Sequence, residues 1–283
     1  MDMGQTQSFS TEDILTLGMR ADEARRRTSP QPRVWYQRVH VVRASDAPAD
    51  VSIPDAASEV RIFGTPPTLE EALNVVRSVK KAAGTRVVRG FSLSDLAAGT
   101  REGWARGNLH EVLAQFAAAG LADVAELPVD LFDDVSEKVR EARKAGLRAE
   151  RLTVANPVAD RRDEIVDRFA RCARDVGGVR RVAPLPRNIR DDKPTTGYED
   201  VRMIAIARLA LSEIENAPPV LVEVDWTLYG PKLAQVALTF GADFLDAVPA
   251  TTDESLGKRR ETVADVERNI RAAGFEPQEY RAE

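Results

Sequence analysis

Eight short runs rich in β-branched residues recur along this chain, and longer stretches with the spacing of amphipathic helices separate most of them. That alternation constrains the fold most, because strand–helix–strand units set successive strands side by side and parallel. The runs span 34–42, 59–63, 86–91, 123–127, 151–155, 179–185, 220–224 and 244–248. Helical patterns cover 69–83, 109–119, 135–145, 163–176, 198–214, 231–239 and 262–273, and one helix leads the chain with Ser10 or Thr11 as its N-cap candidate. Gly84, Gly120, Gly146, Gly177 and Gly274 each stand where a helix should stop. Closing eight parallel strands leaves no exposed edge, so the expected fold is α/β, a (β/α)8 TIM-type barrel in one domain over 1–283. The leading helix lies in 1–30, the barrel in 34–248, and a helix and tail in 249–283. The first crossover, "RASDAPADVSIPDAAS", is short and weakly helical, and the barrel is expected to be incomplete there.

Composition narrows the class. The 283 residues are 43% hydrophobic and 30% charged, with a net charge of −5 and both signs interspersed, which supports a sizeable core but no basic field for nucleic acid. The one dense basic run, Arg25–Arg26–Arg27, reads as a solvated helix end. No apolar stretch approaches the ~20 residues that span a bilayer. One cysteine, Cys172, excludes an internal disulfide, and the polar N-terminus has no secretory pattern, so a cytoplasmic location is expected.

The segment 197–246, "GYEDVRMIAIARLALSEIENAPPVLVEVDWTLYGPKLAQVALTFGADFLD", closely resembles the C-terminal part of a radical SAM family. Its members are aminofutalosine synthase and dehypoxanthine futalosine cyclase, of the futalosine route to menaquinone, with their deazaflavin-synthase relatives. "LGMRADEARRR", "RGFSLSD", "VAPLPRNIRDDKPTTG" and "VERNIRAAGFEPQEY" extend a weaker similarity over nearly the whole chain. The resemblance implies a barrel whose first loop, C-x3-C-x2-C, binds a four-iron cluster and S-adenosylmethionine.

Here the corresponding loop reads "VVRASDAPADVS", without cysteine, and three thiolates are needed to hold such a cluster with one iron open. Gly64–Thr65 replaces a glycine pair after the second strand, "VAELPVDLFDD" puts Asp130 at the family's acidic position, and Asn156–Pro157 replaces a Gly-His pair. The expectation is a radical-SAM-like chain with no cluster, no bound cofactor and no metal.

In such barrels the site lies at the C-terminal ends of the strands. That rule selects Glu126 and Asp130 as a candidate acid and base, and Asn156, Arg187, Asn188, Asp225, Trp226 and Tyr229 as candidate substrate-binding residues. Each has a simpler use: capping for the carboxylates, pairing with Asp191 or Asp192 for Arg187, rim packing for Trp226 and Tyr229. Arg43 and Asp46 occupy the first loop. Lys232 and Gln235 share a helix face better explained by packing, and His40 and His110 lack the neighbours a zinc site needs. The stretch 99–107, "GTREGWARG", has no phosphate-loop spacing and reads as a mobile loop.

Two functions follow from this reading. The chain either binds a futalosine-type small molecule or pairs, without catalysis of its own, with a complete homologous radical SAM enzyme in menaquinone biosynthesis. Alternatively it is a cluster-independent lyase or hydrolase using carboxylate acid/base chemistry on a carboxylated aromatic or nucleoside. Neither version needs nucleic acid or a membrane as partner.

Overall fold

The β-branched runs pair as parallel strands in a computed structural model that describes residues 12–29, 31–46, 51–102, 108–188, 195–214, 218–253 and 262–281. They are β1 (Arg33–Arg43), β2 (Glu59–Phe63), β3 (Val87–Ser92), β4 (Asp123–Glu126), β5 (Arg151–Val154), β6 (Arg181–Pro186), β7 (Leu221–Asp225) and β8 (Phe244–Pro249). The hydrogen-bonded order is β4-β3-β2-β1-β8-β7-β6-β5. Beyond the end of β4, Pro128 bridges Thr153, the Val129 amide donates to the Thr153 carbonyl at 2.9 Å, and the Thr153 amide donates to that of Leu127 at 2.9 Å. The ring is therefore a nearly closed TIM-type barrel, narrowest in its hydrogen bonding between β4 and β5.

The helices outside it are α1 (Ile14–Thr28), α2 (Leu69–Ala83), α3 (Leu93–Glu102), α4 (Leu109–Ala119), α5 (Val135–Lys144), α6 (Arg162–Val176), α7 (Gly197–Ser212), α8 (Trp226–Thr239) and α9 (Val263–Ala272). Side chains cap most of their starts: Thr68, Asn108, Asp134, Thr196 and Thr262 each accept a first-turn amide. Asp13 caps α1, whereas the expected caps Ser10 and Thr11 lie outside the described residues. The first crossover has only a 3-10 turn at Ala44–Asp46 and no α-helix among its described residues. It is the helical layer, not the sheet, that is incomplete there, since β1 and β2 pair from Val39↔Glu59 to Arg43↔Phe63.

Four features differ from the sequence expectation. Arg25 is 2% exposed, paired with Asp22 and lying over the Phe275 ring, so only Arg26 and Arg27 form the solvated helix end. Gly99 falls inside α3, and 103–107 lie outside the described residues. The C-terminal tail adds a ninth strand, β9 (Glu276–Glu279), parallel to the start of β1. Finally, α7 is buried all round because α1 packs across it, with Leu17, Ala21 and Ala24 fully buried.

The barrel interior departs from the usual branched aliphatic layers. Arg61, Arg89, Arg151 and Arg181 face Glu59, Asp123, Glu223 and Asp246, all at most 8% exposed. Arg61 bonds Asp246 at 2.8 Å and Glu59 at 3.0 Å; Arg89 bonds Asp123 at 2.7 Å and pairs with Glu59 at 3.0 Å. Arg151 bonds Glu223 at 2.6 Å and Asp246 at 3.1 Å. Arg181 donates to Gln37 at 2.7 Å and lies over the Phe244 and Tyr280 rings, which with Trp35 make the barrel floor. Every strand from β1 to β8 contributes to this layer. Burial alone drives the Asp246 carboxyl up, but Arg61, Arg151 and Arg181 outweigh it and hold it well below the ordinary range. Glu59 is likewise lowered against its burial by Arg61, Arg89 and Arg181.

Breaking such a set is costly because the partners left behind remain charged in a dry interior. Asp246→Ala, which deprives Arg61 and Arg151 of a shared carboxylate, is expected to cost about 3–5 kcal/mol. The measurement is urea unfolding, read as a lower midpoint at unchanged slope; an unshifted midpoint would refute the role given to this layer.

Candidate functional site

Above the ionic layer, the strand ends bring Glu126, Arg187 and Asp225 together. Arg187, just past β6, donates from Nε to Glu126 at 2.9 Å and from Nη1 to Asp225 at 2.6 Å, so its fork spans β4 and β7. Burial opposes the cation, but Asp225 and Glu126 outweigh it and raise the Arg187 pKa. Asp225 also starts α8, accepting from the Leu228 amide at 2.8 Å and the Thr227 hydroxyl at 2.9 Å. The bridge is thus held on three strand ends and a helix start, rigid ground for a binding group. Asp191 and Asp192, the alternative partners for Arg187 in the sequence, lie outside the described residues.

The remaining candidates divide. Asp130 accepts the Ala155 amide at 2.7 Å, the Asn156 amide at 3.0 Å and the Asn156 side chain at 3.3 Å, which fixes the loop after β5 and engages both its oxygens. Asn188 reaches Asn156 at 3.4 Å, so both amides stand at the mouth. Trp226 has no exposed surface and belongs to the core, where it packs rather than offering a stacking face. The Tyr229 hydroxyl donates to the Pro186 carbonyl at 2.6 Å; burial first, then Asp200, pushes its pKa up. Lys232 and Gln235 line a cleft between α8 and α9 with Tyr229, Arg268 and Asn269.

Sequence reasoning missed Asp95. It sits in the first turn of α3, within 3.5 Å of the Thr65 hydroxyl, and burial, then the nearby Glu126 charge, raises its carboxyl pKa. Its signal was the "SLSD" cap-like sequence directly after β3, which marks a helix start at the C-terminal end of a strand. Backbone kinks re-aim that end. Phe91 takes φ 61, and Ala247 takes φ 55 where the β1–β8 register shifts.

A four-iron cluster does not fit this chain. The described part of the first loop offers Arg43, Ala44, Ser45 and Asp46, and the sequence supplies no thiol nearby. Cys172 is buried in α6, its thiol pushed up to about 11 by that burial. Among the described residues no group of three or more His, Cys, Asp or Glu side chains could hold a metal. No described helix is long and apolar enough to cross a membrane.

Comparison with known proteins agrees with the barrel fold. Methylornithine synthase (PylB) superposes with a TM-score of 0.60 over 95% of this chain and 91% of its own, at 15% identity. The FeFe-hydrogenase maturase HydG of Carboxydothermus hydrogenoformans does so at 0.59 over 95% and 74%, with 9% identity. The fold these chains share is therefore the TIM-type barrel. In sequence, the chain is 37% identical over 78 residues to the 5-amino-6-(D-ribitylamino)uracil–L-tyrosine 4-hydroxyphenyl transferase of Archaeoglobus fulgidus, a match spanning 25% of this chain and 21% of that enzyme. No family model matches the chain.

Beside the mouth, Asp200 in the first turn of α7 is 6% exposed, and burial, partly offset by a Thr195 hydrogen bond, raises its pKa from 3.8 to about 6. An acid raised by folding holds its proton more tightly in the native state. Its neutral form therefore stabilises at low pH, and the benefit is lost as pH rises from the unfolded value through about 6. Asp200→Asn is expected to raise stability by roughly 1 kcal/mol at about pH 7.5 and to leave it unchanged near pH 4. Thermal melts across that range check it.

Proposed function

We propose that this chain is a cluster-less radical-SAM-like barrel that binds a small molecule at its mouth, of the futalosine type or a related planar, hydroxyl-bearing compound. In menaquinone biosynthesis or a sister route it serves without radical chemistry of its own, beside a complete homologous radical SAM enzyme. The observation that carries this reading is the Glu126–Arg187–Asp225 bridge: a charged constellation held rigid at the strand ends, in a chain whose first loop has lost every thiolate. The short match to a ribitylaminouracil transferase supports the same ligand chemistry, a planar ring bearing a polyol.

The enzyme alternative is a lyase or hydrolase using carboxylate acid/base chemistry. Asp130 suits it poorly, because its oxygens are committed to two backbone amides. The observation in its favour is Asp95, near Glu126 at the strand ends, its carboxyl raised by burial and then by the Glu126 charge.

Thermal shift with aminofutalosine, 5-amino-6-(D-ribitylamino)uracil and S-adenosylmethionine, with iron measured on the same anaerobic sample, separates these readings. A ligand at 100 times its Kd should add about 2.7 kcal/mol. The expectation is a shift with a planar hydroxylated compound, none with S-adenosylmethionine, and no stoichiometric iron. Turnover that disappears in Glu126→Gln or Asp95→Asn would favour the enzyme. Cluster iron would overturn both.

A further inference from the structure

The mouth has a second half that the polar cluster does not account for. Val39, Val41 and Arg43 of β1 pair with Glu59, Arg61 and Phe63 of β2. Glu59 and Arg61 point into the barrel, where they meet Asp246 and Arg89, and strand alternation puts Phe63 on the same inner face, with Val41 and Arg43 beside it. Phe63 is nonetheless 63% exposed and Val41 51%. Inner-face apolar residues of a barrel are ordinarily covered by the next layer of side chains. These two stand above the ionic layer, facing the opening.

Across the ring the chemistry changes. In the strand order, β2 and β6 lie opposite one another, with three strands between them either way. The far arc holds Glu126 and Asp225 with one guanidinium, Arg187, shared between them, while Asp95 stands nearer, against Thr65 just beyond β2. A ligand carboxylate placed there would meet two anions and a cation already bonded to both, whereas amino or hydroxyl groups would meet acceptors.

We propose that Phe63, with Val41, is the platform for the planar body of the mouth ligand, and that the ligand's opposite edge carries amino or hydroxyl donors, not a free carboxylate, toward Glu126 and Asp225. This rests on the ligand-binding reading and fixes which class of ligand it takes. It also moves the stacking role from Trp226, which is buried, to an aromatic residue at the end of a different strand. Phe63 has little to do with the core, so its replacement leaves the fold intact.

The test is calorimetric titration of the full chain with adenosine, a planar donor-rich probe, and with benzoate, a planar carboxylate. Wild type is expected to bind adenosine and to bind benzoate at least about tenfold more weakly. Phe63→Ala should weaken adenosine about tenfold, and Phe63→Trp should restore it, while Val236→Ala, an exposed apolar change on α8, should not matter. Equal adenosine affinity in wild type and Phe63→Ala overturns the platform and leaves the ligand-binding reading standing, as does benzoate binding as well as adenosine. If neither probe binds but aminofutalosine shifts the melting of wild type and Phe63→Ala alike, the platform again falls alone. If no compound binds wild type, both fall. Concentration-dependent self-association that Phe63→Ala abolishes, seen by sedimentation without probe binding, assigns the patch to a protein contact and also overturns the proposal.

Discussion

The interior ionic layer is the constraint on which the rest of this barrel depends. Four guanidinium groups and four carboxylates, one or two from each of β2 to β8, fill the space that branched aliphatic side chains usually occupy. Charges of this kind are expensive to desolvate, and they are tolerable only when the geometry satisfies them together. Asp246 shows how tightly the members are linked, since it serves Arg61 from β2 and Arg151 from β5 at once. The layer therefore ties strands that are not neighbours and, with Trp35, Phe244 and Tyr280 beneath it, closes the barrel below the mouth. Above it the strand ends diverge in chemistry, with Phe63 on β2 and the Glu126–Arg187–Asp225 bridge at the ends of β4, β6 and β7.

Most of the architecture was legible because each helix and strand carries its own period and its own punctuation. The bounds of α2 and α4 coincide with the periodic stretches between Thr68 and Gly84 and between Asn108 and Gly120, where cap and stop residues agree. Less was legible where tertiary context decides. The strand β9 reads "EPQE", with no apolar alternation, and exists because the lower half of β1 has a free edge that β2 does not reach. The ionic layer was visible only as single charges at alternate positions in "EVRIF", "RLTV" and "LVEVD", easily mistaken for strand ends facing solvent. At the mouth, the bridge between Glu126, Arg187 and Asp225 joins residues 38 and 61 positions apart, and no local pattern announces it.

The residues that carry the sequence resemblance turn out to be mainly structural. Arg208 of "IAIARL" donates to the Gly241 carbonyl at 2.7 Å and to that of Val220 at 3.2 Å, and it pairs with Asp243 at 2.6 Å. Gly241 takes φ +99, and a Cβ there would come within 2.7 Å of the Arg208 side chain, so "TFGAD" is required for this docking. In "YGPKLAQ", Gly230 breaks α8 with φ 76 and lets Pro231 start its second section. These motifs keep α7 and α8 on the barrel wall, a role that needs no cluster loop.

The ninth strand has a consequence for how the molecule comes to exist. Arg38 of β1 pairs with Glu279, 241 residues away, and β1 otherwise takes its neighbours from β2 and β8. The strand thus depends on a segment 241 residues further along the chain before its second edge and its floor are complete. Loop closure over that distance is slow to be rewarded by contacts. The lower half of β1 is accordingly expected to gain its second edge late in folding, once residues 276–279 have come to pair with it.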